Sequence, residues 1–396
     1  MIKAILSFGF LQALNFLTPV VLIGILARSE SNEALIVYLL MQSVSAFLAI
    51  AVEYGFYLSA VRRVSHARKF CAVGDACSLI NASKILIYCF IVIMALVDAL
   101  FFKRYELEIY VGILLAVFVI GMRPLWYYQG ANSYKIMIYA EAIVAISTLA
   151  IMIYVSGRSI SGSNLFVISF VPRLLLTLYL IGYIHIKEGL TRVGILPVMV
   201  VIKESFFLFF HRVAAGVLHY AVPVIIGLYF TSADLLAYQK ADRLFYLFQS
   251  VSLIFSQVVF TRLVTKVALL RREKFFAIFM QFIISLVLAT VLYFFSPYLL
   301  NLYYGEVLFD SVAVLKRFSL IIPLMGVNAA MGLTFFVAEN DDHIVVYTAV
   351  MGAVATLLML WIKPFNLGLL VGVYSIFLGE LVILFGMLYF IIRKKN

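Results

Sequence analysis

The chain has 396 residues, of which 65% are hydrophobic and only 12% charged. A soluble domain runs at about 45–50% apolar and roughly 25% charged, so no water-soluble core could absorb this much apolar surface, and a mean hydropathy of +1.11 points to an integral membrane protein. The net charge of +11 is assigned to loops facing anionic lipid headgroups; no RNA- or DNA-binding motif accompanies it, which excludes a nucleic-acid partner.

The N-terminal stretch "MIKAILSFGFLQALNFLTPVVLIGIL" starts with a lysine and an apolar run. That run is too long for a signal peptide and no small-residue cleavage site follows, so it reads as the first membrane helix. A spanning helix needs about 20 apolar residues. The apolar runs predict about twelve spans: 4–27, 34–59, 77–101, 107–128, 136–155, 165–186, 205–230, 235–260, 275–296, 311–338, 344–362 and 367–391. The longest connection, "KEGLTRVGILPVMVVIKE", lies between spans six and seven and leaves no room for an extramembrane domain.

With the N-terminus inside, the cytoplasmic segments hold 17 Lys/Arg and the outer segments 5. Positive charge collects on the cytoplasmic side, so both termini are expected in the cytoplasm. The densest cluster, Arg62, Arg63, Arg68 and Lys69, closes span two in "VEYGFYLSAVRRVSHARK". "NFLTPVVLIGI" (15–25) is similar to "HYAVPVIIGLY" (219–229), and "LLMQSVS" (39–45) to "YLFQSVS" (246–252). An offset of half the chain, with an even number of spans per half, predicts a parallel repeat. The expected fold is all-α: a six-helix lobe at 1–186, a cytoplasmic linker at 187–204 and a second six-helix lobe at 205–396, related by a pseudo-two-fold along the membrane normal.

Ionised groups inside a bilayer are costly and face a cavity or a partner. Inside the predicted spans lie Lys84, Arg123, Arg173, Arg212, Lys240, Arg243, Lys316 and Arg317, against the acids Glu53, Asp98, Glu141, Asp242 and Glu380. Arg173 and Arg243 sit roughly 12 Å into their spans at helical rise, beyond easy snorkelling. Arg123, Lys316 and Arg317 are near enough to span ends to snorkel. Inter-helix ion pairs account for some of these residues. Eight cations against five acids leave a surplus, which suits a water-filled cationic cavity holding an anionic group such as phosphate, for which the guanidinium fork is well shaped. Glu53, Asp242 and Glu141 are candidate ion-pair or coupling acids.

Aromatic residues make up 15% of the chain, and "RPLWYYQG" (123–130) and "YLLNLYYG" (298–305) stand at predicted membrane boundaries. An interfacial belt and stacking against sugar rings are both compatible with them. Cys71, Cys77 and Cys89 match no metal spacing. His66, His185, His211, His219 and His343 form no triad with Ser and Asp, and "ENDDH" (339–343) reads as a solvated loop rather than a cation site. No metal, cofactor or covalent chemistry is expected.

Three of these segments carry a family likeness. The chain resembles the bacterial Wzx-type polysaccharide flippases of the multidrug/oligosaccharidyl-lipid/polysaccharide exporter superfamily, over essentially its whole length. "VEYGFYLSAVRRVS" (52–65) is similar to the family's Asp-Tyr-Gly-Phe signature, with Glu53 in place of the Asp. "RPLWYYQG" resembles its Pro-x-Trp-Phe-Phe-Gln-Gly, and "YQKADRLFYLFQSV" (238–251) its span-eight segment. The charged residue that usually follows Gln-Gly is absent, since Ala131 and Asn132 stand there.

The resemblance implies a non-enzymatic flippase of the bacterial inner membrane. Its cargo would be an undecaprenyl-pyrophosphate-linked oligosaccharide, moved to the outer leaflet by alternating access. Coupling to H+ or Na+, and polymerase and chain-length partners, belong to the same expectation. The rival functions are a small-molecule efflux pump of the same superfamily, which would favour an acidic interior, and a membrane polymerase or acyltransferase, which would need a large outer loop.

Overall fold

A computed structural model describes residues 18–19, 21–68, 72–102, 105–131, 133–158, 160–189, 191–264, 271–336, 341–362 and 367–393. Among these residues there is no strand, and ten helical segments are long and apolar enough to cross a membrane. The chain is an all-α, multi-pass membrane protein. The predicted first span falls largely outside the described residues, which enter it as helix at 21–29 (α1). The predicted eighth span is α11 (Ser232–Val264), at 33 residues long enough to cross. Its charged residues Asp234, Lys240, Asp242 and Arg243 fall in the first half of the helix, and 244–261 is free of charge.

The chain separates into two compact units, one around Ser29–Gly216 and the other around Pro19–Arg28 with Val217–Asn396. The first holds α2 (Asn32–Glu53), α3 (Phe56–Ala67), α4 (Val73–Val97), α5 (Leu107–Met122), α6 (Leu125–Gly130), α7 (Tyr134–Val155), α8 (Gly162–Glu188) and α9 (Ile195–Gly216). Its helices start where capping chemistry allows. The hydroxyls of Ser31 and Ser161 accept from the backbone N–H groups of Ala34 and Asn164, each at 3.3 Å, satisfying donors that a helix start leaves open.

Predicted span two is interrupted, and its signature residues are the cause. Tyr54 (φ 41°) and Gly55 (φ 75°) take left-handed conformations that end α2 and redirect the chain into α3. A Cβ on Gly55 would meet the Leu208 Cβ at 2.7 Å, so the turn also admits α9 to backbone contact. Predicted span four is interrupted by Pro124, which removes an i−4 backbone bond and holds Arg123 extended, with ψ 122°. The expected linker 187–204 is shorter than its charge pattern suggested. Of its described residues, 189 and 191–194 are non-helical, and α9 has already begun at Ile195.

The core of this unit gathers Phe56, Trp126, Tyr127, Tyr128, Met137 and Ile184. The aromatics of "RPLWYYQG" are therefore packed inside the unit, as neither an interfacial belt nor an exposed stacking platform. Gly121 lets α5 close onto Val52 of α2, where a Cβ would stand at 2.5 Å, the small-residue contact that membrane helices favour. Phe90, Ile93, Met94, Leu100 and Phe101 point outward from α4 and its π-helical extension Asp98–Phe102, a surface suited to lipid.

The second unit holds the π-turn Val217–Ala221, α10 (Val222–Tyr229), α11, α12 (Arg271–Phe294), α13 (Ser296–Tyr304), α14 (Phe309–Ser319), α15 (Ile321–Met331) with the π-turn Gly332–Phe336, α16 (Asp342–Ile362) and α17 (Leu370–Arg393). Predicted span ten is broken between α14 and α15, where Pro323 cannot donate to the Ser319 carbonyl. The repeated Gln-Ser-Val-Ser becomes a polar clasp here. Ser252 and Ser285 hydroxyls meet at 2.8 Å, and the Gln281 amide donates to the Ser252 hydroxyl at 2.7 Å. In the first unit the matching Ser45 hydroxyl is buried without a hydrogen-bond partner among the described residues.

Candidate functional site

The sequence placed eight cations inside spans; the structure sorts them by what holds them. On α2 and α9 of the first unit, Glu53 Oε2 accepts from Arg212 Nε at 3.2 Å and from its terminal NH2 group at 3.0 Å. The pair is open to its surroundings, with the Arg212 side chain 43% exposed. Three neighbouring contacts join the same helices. Tyr54 stacks on Phe209 with ring centroids 4.5 Å apart, Ser59 and Ser205 hydroxyls meet at 2.9 Å, and Arg63 pairs with Glu204. The signature turn is thus fastened along α9.

Lys84 on α4 is 2% exposed, and its Nζ donates to the Gly121 carbonyl at 2.8 Å. That carbonyl belongs to the last turn of α5, ahead of Pro124, where main-chain acceptors run short of donors and the helix dipole is negative. Lys84 is therefore a cap, within electrostatic reach of Glu53.

A second constellation joins α5–α6, α7 and α8. Glu141, 3% exposed, lies between two guanidiniums. The Arg123 NH2 group is 2.6 Å from Oε1 and that of Arg173 is 3.9 Å from Oε2. Two positive charges share one carboxylate, both arginines stay partly exposed, and the Arg173 contact is the looser one. Such a group holds one net positive charge ready for an anion whose oxygens match the guanidinium fork.

In the second unit, Lys240 is 1% exposed, pairs with Glu306, and lies 5.4 Å from the Tyr304 ring centroid. The Tyr304 hydroxyl donates to the Lys240 carbonyl at 3.0 Å. Burial holds that hydroxyl well above the ordinary tyrosine range, so it remains a donor. Lys316 stands 5.4 Å from the Tyr293 ring, and Arg317 donates to the Ala313 carbonyl of its own helix at 3.2 Å. Arg243 lies electrostatically beside Asp242, Tyr303 and Tyr304. Asp242 is buried and neither of its carboxylate oxygens has a hydrogen-bond partner among the described residues.

The structure thus brings Arg123, Glu141 and Arg173 together, and separately Glu53 and Arg212. The partners Glu204 and Glu306, and the hydrogen bond between Asn328 and Glu380, escaped the sequence reading because each spans a distance along the chain that no local periodicity reports. His219 packs 4.8 Å from the Tyr246 ring. No group of three His, Cys, Asp or Glu able to hold a metal occurs among the described residues. Cys71, the His211 side chain, Glu339, Asn340 and the Asp342 side chain lie outside them.

No protein-family model matches the sequence. A protein of Shigella dysenteriae described as "Putative O-antigen transporter" is 22% identical over 396 residues, covering 98% of each chain. Among solved structures, the lipid II flippase MurJ in an inward closed conformation superposes with a TM-score of 0.76 at 15% identity, covering 100% of this chain and 88% of that one. An inward-facing multidrug resistance MATE family transporter of the MOP superfamily superposes with a TM-score of 0.65 at 16% identity, covering 97% and 94%. These likenesses establish the fold, which is that of the MurJ and MATE transporters.

Proposed function

We propose that this chain is a flippase for lipid-linked oligosaccharides, moving an undecaprenyl-pyrophosphate-linked repeat unit from the cytoplasmic to the outer leaflet of a bacterial inner membrane. The observation that carries this reading is the Arg123–Glu141–Arg173 group, two partly exposed guanidiniums on one buried carboxylate. The fold shared with a lipid II flippase and the full-length likeness to a protein described as an O-antigen transporter support the same reading.

The chemistry is recognition and release, with no bond made or broken in the cargo. A pyrophosphate oxygen competes with Glu141 for the looser Arg173 first, then for Arg123. Arg212 and Arg243 take the anion elsewhere on its path, each released from or returned to a neighbouring acid, Glu53 or Asp242. Lys84 and Lys240 are held by partners in their own units and act through their field. Lys316 and Arg317 offer positive charge near the end of their helix. Alternating access exposes these groups in turn, with both termini cytoplasmic. H+ or Na+ supplies the driving force, and a polymerase with its chain-length partner consumes the product.

Deleting the gene is expected to strand the lipid-linked unit on the cytoplasmic leaflet; normal surface polysaccharide in the deletion overturns the reading. In proteoliposomes, Arg173→Ala and Arg123→Ala are expected to slow transport more than the corresponding Lys variants. A chain that exports organic cations and leaves the lipid-linked oligosaccharide in place is an efflux pump instead.

A further inference from the structure

The anion site makes no use of Glu380. This acid is the eleventh residue of α17, about 15 Å from the helix start and about 20 Å from its end at 1.5 Å per residue. It therefore lies at the middle of a spanning segment, and it is only 5% exposed. Among the described residues its one side-chain hydrogen bond is from Asn328 of α15, whose amide nitrogen stands 2.6 Å from Oε2 and 2.9 Å from the Glu380 main-chain carbonyl. Both facing atoms are acceptors, so the NH2 end of the amide must point at them. The Asn328 Oδ1 is buried with no hydrogen-bond partner.

Among the described residues no cation forms an ion pair with this carboxylate. α10, α14, α15 and α16 pack along α17. The π-turn Val217–Ala221 meets it at Gly379 through Leu218 and brings His219, which lies against Tyr246, and Tyr220. α11 meets it at Gly372 through Tyr238. α15 has no ionisable residue. α10 offers only Tyr229. The ionisable groups of α14 are Asp310, Lys316 and Arg317, the last two engaged as described above. On α16 they are Asp342, His343 and Tyr347, all within its first turns and far from the level of Glu380. On α17 itself, Tyr374, Tyr389 and Arg393 are at least six residues away. Among the described residues none of these forms an ion pair or hydrogen bond with Glu380, and Asn328 is the one side chain it interacts with.

An ionised carboxylate at mid-membrane without a counter-charge is costly, and such residues mark ion or proton pathways. A metal cation would need several oxygen ligands converging on it, whereas Asn328 presents a donor to Oε2. That donor fits both forms of the acid: Oε2 accepts as a carboxylate oxygen, or as the carbonyl oxygen of a neutral acid whose Oε1 holds the proton. We propose that Glu380 and Asn328 form a proton-binding site that couples a transmembrane proton gradient to transport. The carboxylate forms one O–H bond with a proton taken from water on one side and breaks it by releasing that proton to the other. The Asn328 amide holds the carboxyl in place in both states. The coupling role rests on the flippase reading; proton binding at Glu380 does not.

The test uses two readouts. The first is infrared titration of the purified full chain, following the carbonyl band of a protonated carboxyl in H2O and D2O. A titrating band present in the wild type and lost in E380Q is expected; a wild type with no band that E380Q removes overturns the site. The second is flipping of undecaprenyl-pyrophosphate-linked oligosaccharide in proteoliposomes, with and without an imposed pH gradient. Stimulation by the gradient is expected in the wild type, lost in E380Q and restored in E380D. N328A is expected to move the pH at which stimulation is half-maximal. A wild-type response in E380Q, or stimulation by a sodium gradient alone, overturns the coupling. A wild type that shows the band but moves no lipid-linked oligosaccharide removes the flippase reading and leaves the proton site standing. E380Q keeps a carbonyl acceptor for Asn328, and its thermal unfolding midpoint checks that it folds.

Discussion

The two units handle buried acids in opposite ways. In the first, Glu141 is closed off from its surroundings but lies between Arg123 and Arg173. In the second, Asp242 and Glu380 are as deeply buried, yet neither forms an ion pair among the described residues, and Glu380 has only an amide for company. Burying a charge is expensive unless it is paired and hydrogen-bonded. The first unit therefore treats its acid as part of the scaffold that fixes two arginines. The second holds acids whose placement costs stability, which is the signature of groups kept for what they do.

The largest effect that sharpens this contrast is at Glu141. Glu141→Gln removes the one carboxylate between two guanidiniums and leaves two like charges facing a neutral amide. Breaking a buried pair by removing one partner costs about 3–5 kcal/mol, so the thermal midpoint of the purified protein is expected to fall sharply. A change no larger than that of a surface substitution breaks the comparison, because Glu141 would then not be what holds the arginines.

The second unit is expected to answer with the opposite sign. Asp242→Asn replaces a carboxylate that has no hydrogen-bond donor among the described residues, and only the field of Arg243 beside it, with a neutral side chain of the same shape. Replacing a poorly compensated buried charge is often neutral or stabilising, here by up to about 1 kcal/mol, while transport, if the residue serves it, falls. Thermal unfolding and flipping rates measured on the same preparation separate the two. Destabilisation as large as that of Glu141→Gln would place Asp242 in the scaffold as well.

This division was half visible in the sequence. The all-helical, many-span architecture and the surplus of cations follow from hydropathy and counting, because apolar length and charge are local properties. Pro124 and Pro323 are visible as residues, but apolar length runs straight through them, so hydropathy does not report the helix breaks they impose. What stayed hidden is pairing between helices. Nothing in the spacing of residues 141 and 173 states that their side chains meet, nor that Lys84 would end its reach on a backbone carbonyl rather than in a cavity. Aromatic runs were equally silent: Trp126, Tyr127 and Tyr128 read as boundary residues and are core, since a helix end folded back against its neighbours buries what a free end would expose.

The smallest effect tests the turn at "VEYGF". Glu53 and Arg212 make a two-contact pair, but one in which the arginine stays 43% exposed. Exposed pairs contribute about 0.2–1 kcal/mol, so a double-mutant cycle of Glu53→Gln and Arg212→Gln is expected to return a coupling energy in that range for unfolding. The Tyr54–Phe209 stack and the contact of Gly55 with Leu208 hold the same helices together without charge, which leaves the ion pair available for another use. If Arg212 lends its guanidinium to a passing pyrophosphate, Arg212→Gln slows transport far more than its small stability cost explains, while Glu53→Gln slows it less or not at all. Equal losses of transport in both single variants would mean that the pair works only as a clasp, and Arg212 would leave the set of residues that meet the cargo.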